Sequence, residues 1–144
     1  MTRMLPLALA ALTALSAPAT AQENKQLNSG EIQAAFSNRT ATADGQMAEF
    51  HATDGVAIIR SREDGKSVVR VGSWKVKRDA VCYRYTDDLQ NEYCWRVYRM
   101  ADGVHFLWGT ENQIIVEIAL RDGDTARLER RVSPEVRAQA LTLR

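Results

Sequence analysis

The chain has no excess charge of either sign: 19 Lys and Arg stand against 18 Asp and Glu, and setting Arg3 aside leaves 18 of each, interspersed rather than grouped. That balance excludes the basic stripe of a nucleic-acid binder, and no segment has the basic face of a helix that lies on an anionic membrane. Long hydrophobic runs are lacking too. The apolar stretch from Met4 to Ala17 is too short for a permanent span and contains Pro6, and no cysteine follows it to carry a lipid. There is no Gly-x-Ser-x-Gly, no His-Glu-x-x-His, no glycine-rich phosphate loop and no Cys-x-x-Cys, so neither a cofactor nor a metal is expected. Histidine and cysteine are scarce, with only His51, His105, Cys82 and Cys94.

The N-terminus reads as a signal peptide over residues 1–21: Arg3, an apolar run, then the small-x-small pattern Ala19-Thr20-Ala21. Residues 22–144 then form one exported domain, periplasmic or secreted, long enough to bury its own core.

The two cysteines sit in tyrosine- and tryptophan-rich runs that read as a hairpin. With Arg84 opposite Glu92, Cys82 falls opposite Cys94, Tyr83 opposite Tyr93 and Val81 opposite Trp95. One register thus predicts a disulfide, an ion pair and two aromatic pairs. Alternation then places Val81, Tyr83, Tyr85, Tyr93, Trp95 and Val97 on one face, with Cys82, Arg84, Glu92, Cys94 and Arg96 on the other.

Before this hairpin, Asn28 and Glu31 make a capping box with Leu27 stapled onto Ile32, which predicts a short helix ending near Asn38. Past Thr40 the apolar period becomes two, and Asp-Gly pairs beginning at residues 44, 54, 64, 102 and 122 punctuate strands. A parity slip between Val71 and Trp74 predicts a bulge at Gly72-Ser73 with both side chains inward. Val97 is expected to meet Val104, Trp95 to meet Phe106, and Trp108 to meet Ile114. Thr125 to Val132 reads as a last strand or the start of a helix, and Ser133-Pro134 begins a short terminal helix.

Together these runs predict an all-β domain, an antiparallel up-and-down meander closing into a small lipocalin-like barrel of about eight strands. A short N-terminal helix crosses one mouth and a short helix ends the chain. A two-sheet sandwich fits less well, because the connections are too short for Greek-key crossovers. Parity places Phe50, Trp74, Tyr83, Tyr85, Tyr93, Trp95, Phe106 and Trp108 inside. His51, sharing parity with Met47 and Glu49, falls on the outer surface, as does His105. The tyrosine and tryptophan tips need hydrogen-bond partners, so a partly wet interior follows, and the candidate ligand-binding residues are Trp74, Tyr83, Tyr93, Trp95 and Trp108.

Val71-Gly72-Ser73-Trp74-Lys75-Val76, Asp79-Ala80-Val81-Cys82-Tyr83, Cys94-Trp95-Arg96-Val97 and Leu27-Asn28-Ser29-Gly30-Glu31-Ile32 resemble a family of small uncharacterised secreted proteobacterial proteins. That resemblance implies an exported domain of unknown activity and carries over no functional residue. In size, leader and disulfide the chain is also similar to periplasmic lysozyme inhibitors, at the level of architecture only. The expectation is a monomeric binding module for a small apolar or aromatic ligand, not an enzyme. The alternative is an envelope-protein interaction module, such as a hydrolase inhibitor, acting through Asp87 to Asn91 or Gly109 to Asn112.

Overall fold

The computed structural model describes residues 24–101, 105–109 and 114–144. The segment expected to be a signal peptide, Val104 and the turns at Asp102-Gly103 and residues 110–112 lie outside these residues, as do the side chains of His105 and Ile114.

The capping box forms as its residues require. Asn28 accepts from the Glu31 backbone N–H and the Glu31 side chain accepts from that of Asn28, starting α1 (Ser29–Phe36). Strands follow: β1 (Lys25–Gln26) before the helix, then β2 (Arg39–Ala43), β3 (Met47–His51), β4 (Val56–Glu63) and β5 (Lys66–Lys77). After them come β6 (Ala80–Tyr85), β7 (Asp88–Arg99), β8 (His105–Gly109) and β9 (Ile114–Asp122). Two connections are two-residue turns with φ positive at both positions, Asp64-Gly65 and Arg78-Asp79, a geometry that matches the twist of the flanking strands.

Each strand from β2 to β9 pairs antiparallel with the next, and β9 returns to β2 through Thr40 opposite Arg121, so eight strands close a barrel. β1 adds a short rung beside the end of β7. The hairpin is stapled as its register requires, with Cys82 bonded to Cys94, Tyr83 opposite Tyr93 and Val81 opposite Trp95. Arg84 reaches Glu92 at 4.0 Å, across a bulge where β7 holds extra residues. The connection after Tyr85 is a two-residue turn, so the expected loop from Asp87 to Asn91 is mostly the start of β7.

Two apolar layers hold the molecule together. Inside the barrel, Trp74, Val81, Tyr83, Val97 and Trp108 pack against Ile32 and Phe36 of α1, which plugs one end. Outside it, Ala48, Phe50, Val56, Ile58 and Val71 are covered by Leu128 and by Ala140 of α2 (Pro134–Leu141). Arg137 of α2 pins this cover by bonding Asp54 at 2.7 Å and Glu129 at 3.1 Å.

The outer layer explains several departures from the sequence reading. Phe50 belongs to the outer cluster, not the barrel interior, because α2 buries the far face of β3 to β5. Gly72-Ser73 is not a bulge: β5 pairs without a shift on both sides, and Val71 and Trp74 face opposite layers. Glycine stands at 72 because a Cβ there would collide with the Arg84 carbonyl oxygen on β6. Thr125 to Val132 is no strand. Asp124 caps the backbone N–H groups of Leu128 and Glu129 instead, at 2.8 Å each, and a 3-10 turn spans Glu129–Arg131. In β7–β8, Val97 meets Trp108 and Arg99 meets Phe106, and in β8–β9 Trp108 meets Val116. These registers differ from the expected pairs by even steps, which preserves every inward face.

Candidate functional site

β3 alternates, and since Phe50 points outward, Met47, Glu49 and His51 point inward. This overturns the placement of His51 on the outer surface: it is fully buried, and Glu49 is 1 % exposed. Across the barrel, β6 presents Tyr83 and Tyr85 at the same i, i+2 spacing. The two pairs match. Tyr83 Oη lies 2.7 Å from His51 Nε2, and the Tyr85 hydroxyl donates to Glu49 Oε1 at 3.2 Å.

His51 Nδ1 lies 3.3 Å from the carbonyl oxygen of Arg39, which can only accept, so Nδ1 carries the proton and Nε2 accepts from the Tyr83 hydroxyl. Burial holds His51 down to about 3, so the imidazole is neutral at any physiological pH. Phe36 and Trp74 meet its ring edge-on at 4.9 and 5.3 Å. These rings pack together at the end of the barrel next to α1, and Trp74 is spent there, donating to the Ala52 carbonyl at 2.8 Å.

The opposite end is open. A cavity of about 320 Å³ enters there, with Met47, Ile59, Trp95 and Val116 as apolar wall. Glu49, Arg70, Tyr85, Tyr93 and Trp108 complete the lining, so seven of the eight barrel strands contribute. Of the five candidate residues, Tyr93, Trp95 and Trp108 meet in this cavity, whereas Trp74 and Tyr83 belong to the packed end.

Desolvation pushes the Glu49 carboxyl up to about 8, against which the Tyr85 hydrogen bond and the Arg70 charge act only in part. No ion pair reaches Glu49 among the described residues. Arg70 is engaged elsewhere, bonding both carboxylate oxygens of Asp87 with its guanidinium 4.4 Å from the Tyr85 ring centre. Tyr93 donates a hydrogen bond to Asp88. Trp108 Nε1 is a buried donor with no hydrogen-bond partner among the described residues. Glu49, Met47, Ile59 and Arg70 were not singled out from the sequence; the alternation of β3 to β5, taken with the opposite facing, would place them inward.

On the outer face, Cys82, Cys94 and Glu92 cluster, but both sulfurs are in the disulfide and supply no thiolate for a metal. No family model, curated protein or solved structure matches the chain, so the functional reading rests on the cavity itself. Among the described residues no helix is long and apolar enough to cross a membrane.

Proposed function

We propose that this chain is an exported binding module that holds one small molecule with a largely apolar or aromatic body in the open end of the barrel. The observation that carries this reading is the cavity of about 320 Å³, walled by Met47, Ile59, Trp95, Trp108 and Val116, with Arg70 and Tyr93 also in its lining. That volume suits a ligand at the small end of those taken by protein pockets, and an apolar wall with a few convergent polar groups is their usual make-up. The opposite end, plugged by α1, gives the site a rigid floor. Export is part of the same reading, supported by the Cys82–Cys94 bond, which persists in oxidising compartments. So is membership of the secreted family that the Gly72-Ser73-Trp74 strand resembles.

Titration with a neutral aryl alcohol such as 4-phenylbutanol tests the reading. The expected result is a saturable change in tryptophan emission that Trp95→Ala weakens about tenfold while the variant stays folded. A linear, non-saturating response of the unmodified chain to this alcohol and to charged compounds of the same aryl body, with no binding heat by calorimetry, refutes it.

A further inference from the structure

Glu49 is an unusual floor for an apolar cavity. A carboxyl group this deeply buried normally has a cationic partner or a full set of donors, because desolvation disfavours its charge strongly. Among the described residues the only side-chain hydrogen bond to it is the one from Tyr85, and no cation pairs with it. The one guanidinium among the described lining residues, that of Arg70, is held by Asp87. The walls are equally particular. Tyr85, Tyr93, Trp95 and Trp108 all line the same space, and aromatic faces attract cations through their quadrupoles. Arg70 already rests on one such face, over Tyr85.

From this arrangement we infer that the ligand carries a positively charged nitrogen, seated against Glu49 and between the aromatic rings, with its apolar body along Ile59, Met47 and Val116. The inference rests on the cavity being a ligand site and adds the chemical class of the ligand: an organic ammonium ion, not a fatty acid or a neutral hydrocarbon. Such a ligand supplies the counter-charge that the fold withholds from Glu49.

Charge coupling gives the inference a pH dependence. The groups facing Glu49 are Tyr85 on β6 and Arg70 on β5; its partners on the adjacent strands, Ala41 on β2 and Ile59 on β4, are uncharged. Along β3 its neighbours are Met47 and a neutral His51, and the cavity lining from β7 to β9 is aromatic or aliphatic. Among the described residues Glu49 is therefore the group that titrates near neutrality in this cavity. Below pH 8 it holds a proton, which must leave to the buffer when the ammonium ion binds.

The test compares 4-phenylbutylammonium, 4-phenylbutanol and 4-phenylbutyrate, which share one body and differ in headgroup charge, by calorimetry and tryptophan emission. At pH 8.5 the ammonium compound is expected to bind about tenfold or more tighter than the alcohol, and the carboxylate weakest. Its affinity should rise about tenfold from pH 6 to pH 7 and level off above pH 8, with the alcohol unaffected. Glu49→Gln should bring the ammonium compound within about twofold of the alcohol and abolish the pH dependence. Equal binding of ammonium and alcohol by the unmodified chain, or tightest binding of the carboxylate, overturns the cation inference and leaves the cavity reading standing. Failure of all three to bind removes both. The headgroup and pH series use the unmodified chain, so they decide the matter even if Glu49→Gln folds poorly.

Discussion

Glu49 and His51 make opposite demands on protons, and the stability of the fold should show it. Burial raises Glu49 from its ordinary 4.5 to about 8, so between these values the folded chain holds a proton that the unfolded chain has lost. Stability then falls as pH rises, by about 1.4 kcal/mol per unit. His51 is depressed from 6.5 to about 3, so between those values the unfolded chain binds a proton that the folded chain refuses. Stability then rises with pH at the same slope. Over pH 4.5 to 6.5 the two contributions cancel. Below that window the histidine dominates, and above it the glutamate alone remains, which yields a plateau flanked by two declines.

The perturbation is Glu49→Gln, which keeps the shape and an acceptor for Tyr85 but cannot ionise. Urea unfolding of the unmodified chain should show a loss of about 2 kcal/mol between pH 6.5 and pH 8.5, which the variant does not share. Between pH 4.5 and 6.5 the variant should gain about 3 kcal/mol while the unmodified chain stays level, because the histidine slope is now unopposed. The exposed carboxylates held low by their partners, Glu31 beside Lys25, Asp79 beside Ser29, Asp88 beside Tyr93 and Glu92 beside Lys77, titrate below this range. Tyr83 and Tyr85 are pushed above the ordinary tyrosine range by burial and titrate beyond it. A flat profile from pH 6.5 to 8.5 in the unmodified chain, or the same decline in both proteins, would refute the assignment of a protonated Glu49.

Gly72→Ala should cost about 3 kcal/mol in a denaturant melt, because the new methyl group meets the Arg84 carbonyl in a fixed backbone; a neutral outcome would mean β5 and β6 can part there. Tyr83→Phe leaves His51 Nε2 without its donor and should cost about 1–3 kcal/mol, with the imidazole nitrogen shifts in NMR reporting whether the Nδ1–H tautomer persists. Replacing both Cys82 and Cys94 by serine opens a link between residues 12 apart and should lower stability by about 2–3 kcal/mol while emission from the cavity tryptophans is kept.

Much of the fold was legible because its information is local. The Asn28 and Glu31 box, the Asp-Gly turns and the Cys82/Cys94 register each involve residues close in the chain, and each constrains its neighbours to one geometry. Closure of the barrel followed from consecutive strands with short turns. What the sequence concealed was the second apolar layer. A strand buried on one face announces that face by alternation, but β3 to β5 are buried on both, so Phe50 and Val71 look like barrel interior although α2 covers them. The supposed bulge at Gly72 arose from the same cause: Val71 and Trp74 are apolar because each fills a different core.

The polar floor of the cavity was missed for a related reason, yet the sequence did contain a way to find it. A choice of face for β3 sets Ala48 and Phe50 against Met47, Glu49 and His51, and hydrophobicity alone favours the first. The inward tyrosines of β6 argue the other way. Tyr83 and Tyr85 must bury hydroxyls, and a buried hydroxyl needs a partner at the same depth. Aliphatic residues cannot supply one. Glu49 and His51, two residues apart on β3 as the tyrosines are on β6, supply two acceptors at matching spacing. Once the hydroxyls are required to be satisfied, β3 can face only one way. Phe50 is then forced outward, and a helix must exist to cover it, which is the position α2 occupies.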